Sequence, residues 1–255
     1  MTFRFPCERA LTQQLGELDA LCECIELATR DLIERASMSH DHQTFIGNLS
    51  QQHGIRVNKV DVPALRPHIA RMYVVTVHQR LEEFLISLQE QHPRGEEWDM
   101  TDDADRLTKI ARAVGLKATL SFALCQHYRT IRNATMHPDA RENVRKRGVD
   151  PDLRARTASD LTLCKLAAPN SYDQTSFDDF VLFTRSAKTI ARELCETARP
   201  SDEQLAVIAK EQTADLGGRL RENPKRLALA QSGFLQTAYS LSKPEADRIV
   251  AGLLA

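Results

Sequence analysis

The sequence predicts an all-α chain on three observations. Glycine and proline number only ten each in 255 residues, strand-like alternation is nearly absent, and apolar residues recur at three- and four-residue spacing almost throughout. The expected arrangement is a long N-terminal helix and connector over 1–66, a compact helical core over 67–199 and a small C-terminal helical bundle over 200–255.

The first helix is expected from about Glu8 to Ala36, where Leu11, Leu15, Leu18, Cys22, Ile25, Thr29, Leu32 and Ala36 form an unbroken seam. Cys22, Thr29 and Ala36 would make a poor zipper, so this seam is expected to pack within its own chain. From Ser37 to Pro67 the pattern dissolves into a polar connector with room for one short helix. A second helix covers about Ile69 to Gln91, with Tyr73, Val77, Leu81, Phe84 and Leu88 on one face. Asp102 to Val114 reads as a short helix stopped by Gly115, and Lys117 to Met136 as a helix that must end near His137, because Pro138 disfavours helical geometry in the residue before it. A long basic stretch follows. Ser176 to Asp179 then caps a helix running to Arg199, and Ser201 with Gln204, Asn223-Pro224, and Ser242 with Glu245 open three terminal helices.

Composition narrows the class. No apolar run approaches the length of a bilayer span, and Glu8, Arg9, Glu17 and Asp19 interrupt any signal-peptide core, so a cytoplasmic protein is expected. Six cysteines without CxxC spacing read as reduced thiols. His40-Asp41-His42 lacks further ligands at useful spacing and reads as a solvated loop, so neither metal nor cofactor is expected. A net charge of −1 supplies no general attraction for a polyanion, which requires any nucleic-acid contact to come from a local patch.

The segment Tyr128-Arg-Thr-Ile-Arg132-Asn133-Ala-Thr-Met-His137-Pro138 places an arginine, an amide and a histidine at the end of a buried helix. Spacing alone is weak: with 25 arginines and 8 histidines about one Arg-x4-His match is expected by chance, and Arg35 with His40 is a second instance. An arginine fork suits a phosphate and the charge that develops on it under attack, and an imidazole near neutral pH can move the proton. A place at a helix C-terminus is expected to favour the protonated imidazole, and with it an acid or phosphate-binding role. Five residues of straight helix turn a side chain by about 140° and advance it roughly 7.5 Å, so the last turn must unwind or a second subunit must complete the site. Arg141, Arg145, Lys146, Arg147, Arg154 and Arg156 outnumber the acids just downstream, and are expected to form a flexible basic loop along an RNA backbone; Arg129 lies on the same motif helix.

These residues resemble the HEPN family, compact helical bundles with an Arg-polar-x3-His motif near the end of one helix. The resemblance covers roughly Pro67 to Arg199: a helix like "RMYVVTVHQRLEEFLISL", a short helix ending in Val114-Gly115-Leu116, and "YRTIRNATMHP" followed by a closing helix. Asn133 stands where the family favours a polar residue; Ala36 does not supply one in the Arg35 match. Pro138 after the histidine and the long insertion before Ser176 depart from the pattern. The resemblance implies a metal-independent endoribonuclease leaving a 2′,3′-cyclic phosphate, with Arg132, Asn133 and His137 as catalytic residues. It also implies a symmetric homodimer, a role as a toxin or in anti-phage defence, and a cognate antitoxin or sensor. The RNA class is not distinguished, and two alternatives stay open. One is a non-catalytic HEPN-like RNA- or nucleotide-binding scaffold; the other is a regulator acting on DNA through the C-terminal bundle.

Overall fold

A computed structural model of the chain describes residues 3–214 and 223–252. Every regular element among them is helical, and none of these helices is long and apolar enough to cross a membrane. The α-helices are α1 (Pro6–Ser37), α2 (His42–His53), α3 (Val62–Gln91), α4 (Arg106–Val114), α5 (Leu120–Met136), α6 (Pro138–Arg147), α7 (Pro151–Ser159), α8 (Phe177–Thr197), α9 (Asp202–Gln212), α10 (Pro224–Tyr239) and α11 (Lys243–Ala251), with short 3-10 turns at Gly95–Glu97 and Tyr172–Gln174.

Two compact units share the chain, and the long helices α1, α3 and α8 contribute to both. One comprises residues 1–13, 80–118 and 188–255, the other 14–79 and 119–187. In the first, the terminal helices expected as a separate bundle share a core with the start of the chain. Phe3 stacks on Tyr239 at 5.4 Å, Phe5 meets the same ring edge-on at 5.8 Å, and the Arg4 N–H donates to the Tyr239 carbonyl at 3.0 Å. Ser201 and Gln204 cap α9 reciprocally as the sequence predicts, and Asn223 caps α10 through the Arg226 N–H; Ser242 makes no side-chain cap.

The second unit carries the motif. Its core joins α1, α3, α5 and α8 through Cys22, Val74, Val77, Leu124, Tyr128, Ile131, Phe180 and Phe183, all buried. A smaller cluster of Ala36, Ile46 and Val62 ties α2 to the end of α1 and the start of α3. The N-terminal seam is shifted at one step: Ile25 is exposed and Glu26 is buried in its place. Position 26 continues the four-three spacing from Cys22 to Thr29 as well as position 25 does, and the buried carboxylate is compensated by Arg30 at 2.8 Å and Arg66 at 3.7 Å. Helix α3 starts seven residues before Ile69. Pro63 falls in its first turn, where backbone N–H groups have no intrahelical partner, and Pro67 lies inside the helix.

The basic stretch after His137 is helix, not flexible loop. Pro138 is the first residue of α6 and Pro151 the first of α7, each with its fixed φ suited to that place. No residue of α6 is buried, so it shows no apolar stripe to a reading based on hydrophobic period.

Gly115 isolates one term of this architecture. It ends α4 in the left-handed region at φ 77°, and a Cβ added there would meet nothing within 4 Å. Gly115→Ala is therefore expected to cost roughly 1 kcal/mol by conformational strain alone, read as a lowered denaturant midpoint with an unchanged m-value.

Candidate functional site

Helix α5 begins at Thr119, whose side chain accepts from the Phe122 N–H at 3.2 Å, and stays regular to Met136. Its buried face carries Leu124, Tyr128, Ile131 and Ala134. Arg132 and Asn133 are half-buried beside that face, and Arg132 Nη1 donates to Asn133 Oδ1 at 3.1 Å. His137 is exposed in extended geometry, φ −125° and ψ 101°, with its backbone N–H still donating to the Asn133 carbonyl at 2.8 Å. The same residue is the N-cap of α6. It therefore stands at the negative end of one helix dipole and the positive end of another.

The rotation of α5 is fixed one turn before Arg132. Tyr128 is fully buried, stacks on Phe183 at 4.8 Å and donates its hydroxyl to Asp179 Oδ1 at 3.0 Å. Asp179 is itself fully buried and accepts four more hydrogen bonds: from the Asn170 N–H at 2.8 Å, Asn170 Nδ2 at 2.9 Å, the Ser176 N–H at 2.8 Å and Ser176 Oγ at 3.1 Å. Burial and the adjacent carboxylate hold the Tyr128 hydroxyl well above its ordinary value, so it stays a donor. Next to it, His127 Nε2 faces the Asn170 carbonyl at 3.1 Å, the geometry of a neutral imidazole donating through Nε2, and burial depresses its protonation.

Of the basic residues expected to contact RNA, the fold brings Arg141 and Arg145 together and separates the others. Both lie on one face of α6, and their guanidinium carbons stand 5.9 Å and 5.7 Å from the centroid of the buried Tyr172 ring. A third guanidinium, that of Arg71 on α3, approaches the same ring at 4.6 Å. Arg71 is only 5% exposed; its Nη1 donates to the Tyr172 carbonyl at 3.0 Å and its Nη2 to His68 Nδ1 at 2.9 Å. Burial pulls the Arg71 guanidinium below its ordinary value, and Arg141 and Arg145 pull the same way, while Tyr172 and Asp173 oppose. Arg145 is paired with Asp173 at 2.8 Å, whereas Arg141 Nε is buried without a hydrogen-bond partner.

Lys146 and Arg147 are turned about 100° and 200° around α6 from Arg145, and Lys146 pairs with Glu142 at 3.3 Å. Arg129, half-buried on α5, donates to Gln126 Oε1 at 3.0 Å. In the second Arg-x4-His match, Arg35 lies 5.6 Å from the Phe45 ring and 3.6 Å from Asp31. Asp41 caps α2 through the Gln43 N–H, and among the described residues no three His, Cys, Asp or Glu side chains gather as a metal site would need.

Sequence reasoning missed Arg71, His68 and Tyr172, and read Asp179 only as part of the cap of α8, a contact the Ser176 N–H makes at 2.8 Å. One signal was available for Arg71: it shares the three- and four-residue spacing of Val74 and His78, a charged residue on a stripe that folds inward. Tyr172 sits in a polar stretch whose fold no periodicity indicates. Comparison with protein-family models, curated proteins and solved structures finds no match.

Two measurements probe the frame of the site. Asp179→Ala strands buried donors, each worth roughly 1–3 kcal/mol, and is expected to cost more than about 3 kcal/mol in urea denaturation; Tyr128→Phe removes one of five donors and should cost about 1 kcal/mol. His127 is held neutral in the fold, so the unfolded chain takes up a proton first as pH falls below 6.5, and stability is lost from there downward. His92 in the other unit, also depressed by burial, adds to the same trend. His127→Gln should flatten the melting-temperature profile below pH 6.5; an unchanged slope would show that this imidazole is not the linked group.

Proposed function

We propose that the chain is a metal-independent endoribonuclease of HEPN type that acts as a symmetric dimer. The observation that supports this best is the motif's setting. Arg132 and Asn133 stand on the last regular turn of a helix anchored by a buried carboxylate, and His137 stands at the break where α5 ends and α6 begins. In this reading the 2′-hydroxyl attacks the adjacent phosphorus, the P–O2′ bond forms as the P–O5′ bond breaks, and the proton lost by the 2′-oxygen ends on the 5′-oxygen. The products are a 2′,3′-cyclic phosphate and a 5′-hydroxyl. Arg132 stabilises charge on the non-bridging oxygens, and His137 takes or gives the proton. Asn133 is the positioning residue, because its amide oxygen holds the Arg132 fork.

The dimer is part of the same reading: a two-fold partner would bring two motifs together in one cleft, so that the Arg132 fork of one protomer meets the His137 imidazole of the other, and a symmetric pair is the commonest assembly. A cofactor-free site that cuts RNA endangers the cell that makes it. A growth-halting effector restrained by an antitoxin or sensor fits that chemistry.

The expected outcome is that purified protein cleaves RNA in EDTA, that His137→Ala lowers kcat about 10²–10⁴-fold, and that Arg132→Ala lowers it about 10²–10³-fold. Product ends should be 2′,3′-cyclic phosphate, read by resistance to polyadenylation after phosphatase alone and by its recovery after acid followed by phosphatase. Full activity in both variants would sink the assignment. Intact RNA bound with salt-sensitive affinity would instead select a non-catalytic binding protein.

A further inference from the structure

Three guanidinium groups gather around one tyrosine ring with a single carboxylate among them. Arg71 is more than nine-tenths buried, and its hydrogen-bond partners, a carbonyl and an imidazole nitrogen, are both neutral. The one carboxylate, Asp173, is bound on its Oδ1 by Arg145 Nε and Nη2 at 3.1 Å and 2.8 Å. Among the described residues neither Arg71 nor Arg141 has a carboxylate at ion-pair distance, and Arg141 Nε is buried without an acceptor. Three positive charges against one negative, in a partly desolvated place, is an arrangement that repels itself. Stacking on the Tyr172 ring offsets part of this cost but supplies no acceptor.

We infer that Arg71, Arg141 and Arg145 around Tyr172 form a phosphate-binding subsite, separate from Arg132 and His137, that holds a non-scissile phosphate of the RNA strand. The chemistry fits one anion of that class. Guanidinium forks bind phosphate oxygens in pairs, and a phosphate would give Arg141 the acceptor it lacks and neutralise the excess charge. His68 accepts from Arg71 at Nδ1, so in the neutral ring Nε2 carries the hydrogen and is a further donor. The register also fits. His137 caps the helix on which Arg141 and Arg145 follow at four-residue spacing, about 6 and 12 Å along the axis. A strand cut at His137 and laid along α6 would bring a neighbouring phosphate to this cluster. Tyr172 is buried, so the subsite would hold backbone and leave the base unread.

This inference rests on the proposal that the chain binds RNA, and the test separates the two. In a His137→Ala background, the affinity for an oligoribonucleotide lacking terminal phosphates is measured against salt, alone and with Arg141→Gln plus Arg145→Gln. Loss of the one phosphate held at this subsite should lower the slope of log K against log salt by about 0.7, the contribution of each phosphate neutralised on a single strand. Asp173→Asn, which frees Arg145 from its ion pair, should tighten binding, and as a gain it cannot come from misfolding. Thermal stabilisation by inorganic phosphate, lost in the double variant, reports on the cluster without RNA. If only an oligonucleotide with a 5′-phosphate responds, the anion held is the terminal phosphate and the backbone assignment is overturned. RNA binding whose salt slope is the same with and without the two arginines overturns the subsite. No RNA binding by the parent, with the phosphate effect intact, overturns the ribonuclease reading and leaves a phosphate site of another kind.

Discussion

Asp179 is fully buried, and a carboxylate taken from water without compensation costs several kcal/mol. Five donors provide the compensation: the hydroxyl of Tyr128, 51 residues away on α5, two groups of Asn170 in the loop before α8, and two of Ser176 at the entry to α8. One side chain therefore decides where the loop closes, where α8 starts and how α5 is rotated about its axis. Rotation is what matters for the candidate site. Arg132 follows Tyr128 by one turn of the same helix, so the hydroxyl bound to Asp179 sets the direction from which the arginine leaves the bundle.

The same segment links the two halves of the candidate site. Asn170, held by Asp179, lies two residues before Tyr172, and Tyr172 is the surface on which Arg71, Arg141 and Arg145 assemble. A strained or displaced 170s loop would thus alter the arginine cluster on α3 and α6 as well as the end of α5. The coupling needs no motion. It follows from one buried acceptor serving groups on both sides.

Helical periodicity made most of the fold legible before any coordinates, because burial repeats every three or four residues on α1, α3, α5 and α8. What it could not show has specific physical causes. Residue identity favours Ile25 for burial over Glu26 although both positions fit the spacing, and two arginines make the buried carboxylate tolerable. No whole residue of helix α6 is buried, so its order lies in Pro138 at its start and in packing on α5, neither of which is an apolar stripe. Arg132, Asn133 and His137 were legible as a local motif. Arg71 and Tyr172 stand 101 residues apart, and their meeting is a property of the folded unit alone.

Pro138 shows why local reading was half sufficient. Its ring keeps His137 out of helical geometry, which ends α5, and the same fixed φ starts α6 in the next residue. A histidine inside one continuous helix would be bound to the angular step that separates it from Arg132 by about 140°. Between two helices it keeps its link to Asn133 through one backbone hydrogen bond at 2.8 Å, while its own φ and ψ are extended. The arginine is thus positioned by the core and the histidine by a junction, and that junction also launches the helix bearing Arg141 and Arg145. Any change that lets α5 run on through residue 138 would move the imidazole and the two arginines together.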